Sequence, residues 1–502
     1  MMRTLLVATL VAATAVGAAQ ATHKAQQQGG LSAAQIVAID HIGQFSVSAH
    51  FTPSIVIGVE RNGRQVYWRA FGDRQVESRV SAVPSTRYTI GSNTKQFVAT
   101  AILMLQDQGK LHVDDRVSKY FPTIPHSNEV TLRQLLTMSS GYADYPEVPN
   151  ILSVVSRPAR SAADAVALVR DLPLDFPPGT RWSYCNTGYM ILQMLIERLS
   201  GMSLHDYFQR RFFTPLGMRS TYLRLSRDTT PNVADEYVSF ALGPWERAPH
   251  WDYTWFGGAG AMVSDVPDLE KWNSALDGGR LLSRRSLAEM LAPGPAASTP
   301  GGAGYGMGIR SGRMPNGHRF IWHGGDTLGS ASQDARFPDD NLSIIVLTNG
   351  GLYAKDAAVE AIYKVVVPNV ASVNPANQTV PRMQGDPSKI RAATSWLDDA
   401  VAGRIDTRNL GEEMRASLTP AHQASLRALS QNGARTYTLA FTDRRRPTTT
   451  YGFLIETKRK KFVYVYKWDD TGQITDISVF PLMEFPKEAI ATPSPQPMPE
   501  RP

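Results

Sequence analysis

The stretch Ser92-Asn93-Thr94-Lys95-Gln96-Phe97-Val98-Ala99-Thr100-Ala101-Ile102-Leu103-Met104-Leu105-Gln106-Asp107-Gln108, closed by Gly109, decides how this chain is read. From Thr94 to Gln108 it is largely apolar around the whole helical wheel, so a helix here must be buried on most sides. Ser92 and Lys95, three positions apart, then share one face. At a helix N-terminus, exposed backbone N–H groups and the macrodipole favour negative charge on or near the Ser oxygen. The competing reading is a Ser cap followed by a solvated Lys. Against it, no other Ser in the chain stands three residues before a Lys.

Two further motifs follow in order. Tyr184-Cys185-Asn186 comes after Phe176-Pro177-Pro178-Gly179-Thr180 and before Thr187-Gly188-Tyr189, which places a phenol and an amide on one loop. Taken alone, it also fits a core Tyr beside a turn Asn. His323-Gly324-Gly325 follows a strand-like run and precedes Asp326-Thr327-Leu328-Gly329. Its glycines would let a substrate backbone lie close along the strand edge. This is the weakest signal of the three, since His41-Ile42-Gly43 has the same form. Cys185 is the only cysteine, which excludes an intrachain disulfide, and small buried packing is the common fate of such a residue.

Together these residues resemble the serine β-lactamase and penicillin-binding-protein superfamily. The branch indicated holds class C β-lactamases, D-alanyl-D-alanine carboxypeptidases, D-aminopeptidases and related esterases. The resemblance runs from about Ile36 to Val366. It includes Thr131-Leu132-Arg133-Gln134-Leu135-Leu136-Thr137-Met138-Ser139-Ser140-Gly141, Gly257-Gly258-Ala259-Gly260-Ala261-Met262-Val263-Ser264 and Tyr305-Gly306-Met307-Gly308. It implies an α/β (α+β) β-lactamase/transpeptidase-like fold, with an antiparallel sheet flanked by helices and a helical subdomain. It implies an acyl-enzyme on Ser92, activated by Lys95 and Tyr184 through a shared proton network. The backbone N–H groups of Ser92 and Asp326 would form the oxyanion hole, Asn186 would hold the acyl group, and His323 would join the Tyr184 side or touch substrate. No cofactor or metal is implied. β-Lactamases of this branch usually carry Lys where His323 stands, which shifts the expectation toward a peptidase, an amidase or a carboxylesterase. β-Lactam turnover and a catalytically silent penicillin-recognising protein are the alternatives.

The rest of the 502 residues frames that centre. Arg3, the apolar run Leu5 to Ala13 and the Ala19-Gln20-Ala21 end read as a signal peptide over 1–21, so a periplasmic or secreted protein is expected. An uncleaved anchor is the other reading of that run, and no later segment is apolar enough to span a bilayer. Asn62-Gly63 between Ser54–Val59 and Gln65–Ala70 signals a hairpin. Strand character returns near Met307-Gly308-Ile309, Phe320-Ile321-Trp322 and Ser343 to Thr348, before a helix from Lys355 to Val365. The catalytic domain is thus expected over 32–367, a Pro-marked linker over 368–387, a small α+β module over 388–492 and a disordered tail over 493–502. No catalytic constellation is visible in that module. The net charge of +7 is modest, and Arg444-Arg445-Arg446 and Lys458-Arg459-Lys460-Lys461 read as solvated turns without a nucleic-acid motif. No His-Glu-x-x-His and no Gly-x-Ser-x-Gly occurs, which disfavours a metallohydrolase and an α/β-hydrolase triad. The expected partner is a small-molecule or peptide substrate. Trp182, Trp255 and Trp322 are candidates for its pocket.

Overall fold

The computed structural model describes residues 30–224, 230–294, 304–351, 354–367, 370, 385–445 and 447–482. The expected signal peptide, most of the linker and the tail lie outside them.

An eight-stranded antiparallel sheet organises the larger part. Its strands are β1 (Ser54–Arg61), β2 (Arg64–Gln75), β3 (Val80–Ser81), β4 (Gly304–Tyr305), β5 (Arg310–Arg313), β6 (Arg319–Asp326), β7 (Ala331–Phe337) and β8 (Leu342–Thr348), in the order β3-β2-β1-β8-β7-β6-β5-β4. The Asn62-Gly63 signal holds: both residues have positive φ, the geometry of the tight turn that suits right-twisted strands. β1 and β8 pair from Ile55↔Thr348 to Arg61↔Leu342, so the two ends of this region meet at the centre of the sheet.

Alternation sends the side chains of these strands to two cores. Ile57, Ile344 and Val346 face α1 (Ala33–Ser48), capped by Ser32, and the helix Ala354–Val366. Val56, Ile345 and Leu347 face the helical side. There lie α2 (Thr94–Asp107), α3 (Asn186–Ser200) and α4 (Val266–Asp277), followed in chain order by α5 (Ala354–Val366). In α2 the residues Phe97, Val98, Ile102, Leu103 and Leu105 are fully buried, and Phe97 stacks on Trp272 of α4 at 3.7 Å. Each such burial contributes roughly 1.5–3 kcal/mol, enough in sum to carry an unfavourable group on the same helix. That group is Lys95.

Two strand expectations change. Met307-Gly308-Ile309 is a turn between β4 and β5, because Gly308 has φ +70 and presses on the carbonyl of Lys95. β7 was not expected at all. Ser332, Gln333, Asp334 and Arg336 break its apolar pattern, yet all are buried: Asp334 accepts from Asn273 at 2.6 Å and Arg336 pairs with Asp277.

The C-terminal module has α6 (Pro387–Val401), α7 (Pro420–Ala428), a short helix at Glu412–Ser417, and a sheet in the order β9-β10-β11-β12. Its strands are β9 (Thr436–Arg445), β10 (Thr448–Glu456), β11 (Lys461–Asp469) and β12 (Ile474–Pro481). The module has its own core, which also takes in Ala241 with Phe240 and Leu242 from the larger part. The two parts therefore share apolar surface.

Candidate active site

Ser92 sits on a single 3₁₀ turn, Gly91–Asn93, and α2 begins directly behind it. Gly91 has φ +51, a left-handed conformation open to glycine at little cost. An added Cβ there would come within 2.9 Å of the Asp326 nitrogen, so the nucleophile turn and the end of β6 are in contact. Gly325 completes that fit, since a Cβ on it would stand 1.8 Å from the Ile90 carbonyl oxygen. The need for this glycine is therefore internal: it lets β6 meet the Ser92 turn. β6 pairs with β5 only as far as Trp322, so His323 to Asp326 have β7 on one side and, among the described residues, no strand on the other.

Lys95 is fully buried, and its Nζ lies 3.0 Å from Ser92 Oγ, 2.8 Å from Asn186 Oδ1 and 2.6 Å from the Ala259 carbonyl. Burial pushes its amine down from 10.5 to about 7, against the pull of the Asp144 carboxylate. The neutral amine fits these neighbours well. Its two N–H bonds serve Asn186 and Ala259, and its lone pair faces the Ser92 hydroxyl.

Tyr184 lies on the same pocket, with its ring 4.8 Å from Lys95 Nζ. Burial raises its phenol well above the ordinary value near 10, although the nearby Ser92 hydroxyl pulls it the other way. The two candidate bases thus diverge: the amine loses its proton first and the phenol keeps its own.

Asn186 opens α3, and Asp144 holds it. One carboxylate oxygen accepts the Asn186 backbone N–H at 2.6 Å and the other accepts the side-chain Nδ2 at 2.9 Å. The amide oxygen is thereby turned toward Lys95. Thr187 fastens the same loop, donating to Ala143 O at 2.8 Å and accepting from the Tyr145 N–H at 3.0 Å. Asp144 is buried at the positive end of a helix, yet desolvation still raises its carboxyl to about 6, with Arg445 opposing.

His323 is buried at 2% exposure, with Nε2 3.0 Å from Tyr305 Oη and Nδ1 against the Gly324 carbonyl. Burial, then the neighbouring Lys95 charge, holds its imidazole well below the usual range. It is neutral and sits on the Tyr184 side, 6.5 Å between ring centroids. Asp326 is half-exposed and its carboxylate pairs with the buried Lys355 at 2.9 Å. Burial raises the Cys185 thiol to about 12, so it is no nucleophile near neutral pH.

Of the three tryptophans, only Trp182 flanks this pocket, 6.0 Å from Tyr305 and 6.5 Å from Tyr184. Trp255 is 8% exposed and packs in the main core. Trp322 stacks on Phe320 on the far face of the sheet, as the alternation from His323 requires.

Several residues at the site had no sequence signal. The Arg310 guanidinium lies 5.3 Å from the Trp182 ring and 5.4 Å from that of Tyr305, with no carboxylate in ion-pair range among the described residues. Arg445 corrects the expectation of a solvated basic turn. Its guanidinium lies 5.7 Å from the centre of the Tyr184 ring, and its Nη1 stands 4.0 Å from Asp144 and 3.9 Å from Glu147. The carboxylates of that loop draw it inward, while Arg444 turns away to Asp470. Arg446 lies outside the described residues.

The sequence profile of the family described as Beta-lactamase matches residues 37–367. The chain belongs to the β-lactamase family. Within that family, it is 31% identical over 315 residues to a D-aminopeptidase of Cereibacter sphaeroides, covering 61% of this chain and 58% of that protein. It is 30% identical over 257 residues to PbpX of Bacillus subtilis, covering 50% of this chain and 60% of that protein. The chain therefore spans less than two thirds of either relative. A D-stereospecific amidohydrolase from Streptomyces sp. is 26% identical with a TM-score of 0.59, over 66% of this chain and 99% of that one. The β-lactamase/transpeptidase-like fold expected from the family resemblance is the fold of the protein.

Proposed function

We propose that the protein is an exported serine hydrolase that forms an acyl-enzyme on Ser92 and cleaves an ester or a D-amino-acid amide or peptide bond. The observation that carries this is the 3.0 Å contact between Ser92 Oγ and the Nζ of a fully buried Lys95. Export rests on the N-terminal sequence pattern alone.

In this reading Lys95 is the base. As Ser92 Oγ bonds to the substrate carbonyl carbon, its proton passes to the amine lone pair. The carbonyl oxygen, now negative, takes hydrogen bonds from the backbone N–H groups of Ser92 and Asp326, which the Gly91–Asp326 contact brings together. As the carbonyl re-forms and the bond to the leaving nitrogen or oxygen breaks, Tyr184, a phenol in the resting enzyme, gives that atom its proton and is reprotonated from the Lys95 ammonium. Water then enters and hydrolyses the ester by the reverse proton path. Asn186 orients the acyl side, and the edge of β6 opposite β7 takes the substrate backbone. His323 supports the Tyr184 side through Tyr305 instead of supplying a cation. Arg310 is the cation left for substrate, which favours a carboxylate near the scissile bond.

The D-aminopeptidase and the amidohydrolase support an amide or peptide substrate of D configuration. The test is intact mass after exposure to a fluorophosphonate, short acyl esters, D-alanyl peptides and penicillins. A single adduct on the wild type, absent in Ser92→Ala, with turnover of an ester or a D-peptide is expected. No adduct would refute the reading. A persistent penicillin adduct without turnover of any ester or peptide would leave a penicillin-recognising protein instead.

A further inference from the structure

The basic residues of the C-terminal module were expected to be solvent-facing, yet one of them reaches the catalytic pocket. Arg445 ends β9, at the tip of the β9–β10 hairpin, and lies between the Tyr184 ring and the loop that carries Asp144 and Glu147. The same hairpin supplies Thr448, whose hydroxyl donates to Glu147 Oε2 at 2.8 Å. From β11, Lys467 donates to the same oxygen at 2.8 Å. Three side chains of one module thus converge on Asp144 and Glu147, on one loop of the other part. That loop holds Asn186, and Asn186 holds Lys95.

Arg445 is no free anion site. Asp443 on its own strand stands 2.7 Å away, and Asp144 and Glu147 take up the remaining charge. A substrate carboxylate would meet three carboxylates already in place. Arg310, with none in ion-pair range among the described residues, is the better cation for that purpose. What Arg445 can do is act on Asp144.

We propose that Arg445 is a positioning residue of the Ser92–Lys95 centre: it holds Asp144 as a carboxylate, and that carboxylate locks the Asn186 amide with its oxygen toward Lys95. The C-terminal module is then a working part of the catalytic site. A protonated Asp144 would carry an O–H toward donors already pointing at it, and the amide would lose its fixed sense. The groups facing Asp144 are Arg445 from β9, Glu147 on its own loop, Asn186 from α3, and Lys95 from α2, with Cys185, Tyr145 and Tyr184 adjoining. The active form pairs a neutral Lys95 with an ionised Asp144 and so carries one negative charge. A nearby cation favours that form over either protonated one, whichever group takes the proton.

The proposal rests on Ser92 being the nucleophile, and the test separates the two. The rate at which a fluorophosphonate labels Ser92 is measured from pH 5 to 9 on the full chain, with thermal melts to verify folding. In Arg445→Met the rise in rate should move up by about one pH unit, with a loss of about tenfold near pH 6. Arg445→Lys should stay within about threefold of wild type, because the charge is kept. Glu147→Gln removes a negative charge and should move the rise down. Arg444→Met, on the same hairpin but paired with Asp470, should change nothing. A wild-type profile in Arg445→Met, an equal defect in Arg445→Lys, or shifts of one sign in Arg445→Met and Glu147→Gln would overturn the proposal. If Arg445→Met does not fold, Arg445→Lys and Glu147→Gln decide it. An unlabelled wild type would sink the nucleophile assignment itself.

Discussion

Replacing Lys95 with Arg tests the assignment of the base more sharply than replacing it with an apolar residue. Burial brings the Lys95 amine from 10.5 to about 7. At roughly 1.36 kcal/mol per pH unit, that gap corresponds to about 5 kcal/mol against the charged form. An Arg placed there begins above 12, so the same burial leaves it protonated at every pH the protein survives. It keeps the positive charge and the donors toward Asn186 and Ala259, but has no lone pair for the Ser92 proton. We therefore expect Lys95→Arg to be as impaired as Lys95→Met, each losing about 10²–10⁴-fold in kcat/KM. The assay is ester hydrolysis alongside fluorophosphonate labelling from pH 5 to 9, with melts to verify folding. Wild-type rates should climb through about pH 7 as the amine loses its proton, and the residual rate of both variants should lack that rise. Should Lys95→Arg keep more than about a tenth of wild-type activity, or should the wild-type profile be flat across neutrality, Lys95 acts by charge and the base lies elsewhere.

The same burial makes a stability prediction. Because the folded amine titrates below the unfolded one, the unfolded chain binds more protons between pH 7 and 10.5, so Lys95 contributes a penalty that fades as pH rises. From pH 7 to 9, wild type should gain about 2–3 kcal/mol on Lys95→Met in denaturant melts; a constant difference would contradict the depressed amine. Tyr184→Phe should lower turnover about 10²-fold without moving the rise near pH 7, and a moved rise would make the phenol the base. Gly325→Ala should cost both stability and labelling, since its methyl would meet the Ile90 carbonyl at 1.8 Å; a normal melt would show that β6 can draw back. Arg310→Gln should raise KM for substrates that carry a free carboxylate while leaving neutral esters within about threefold, and equal effects on both would remove it as the anion contact.

What could be read beforehand was local. The Ser92–Lys95 pair shows in sequence because helical spacing fixes it, and the Asn62-Gly63 turn because the backbone conformation needs those residue types. β7 could not be read, because Ser332, Gln333, Asp334 and Arg336 look solvated until their buried partners are known. The depth of His323 was hidden for a similar reason: its neutrality comes first from burial and then from a Lys on a distant helix. The glycines of His323-Gly324-Gly325 stand out in the sequence as room for a substrate backbone, whereas the chain itself fills the space beside Gly325.

Arg445 marks the limit of such reading most clearly, and it also bears on why the small module is attached. Asp144 and Glu147 lie three residues apart, Asp144 buried and the Glu147 side chain 12% exposed. Two carboxylates so placed cannot both stay ionised without cations, because desolvation and mutual repulsion act in the same sense. The described part of the larger region brings only Lys95 toward Asp144, and catalysis needs Lys95 neutral. The compensating charges must therefore come from outside that region, and Arg445 and Lys467 of the module provide them. An amine with a lowered proton affinity and an ionised aspartate beside it are otherwise opposed demands, since each carboxylate that orients Asn186 also pulls Lys95 back toward its charged form. A cation beside the aspartate lowers the proton affinity of both groups and so relieves the conflict in both directions at once.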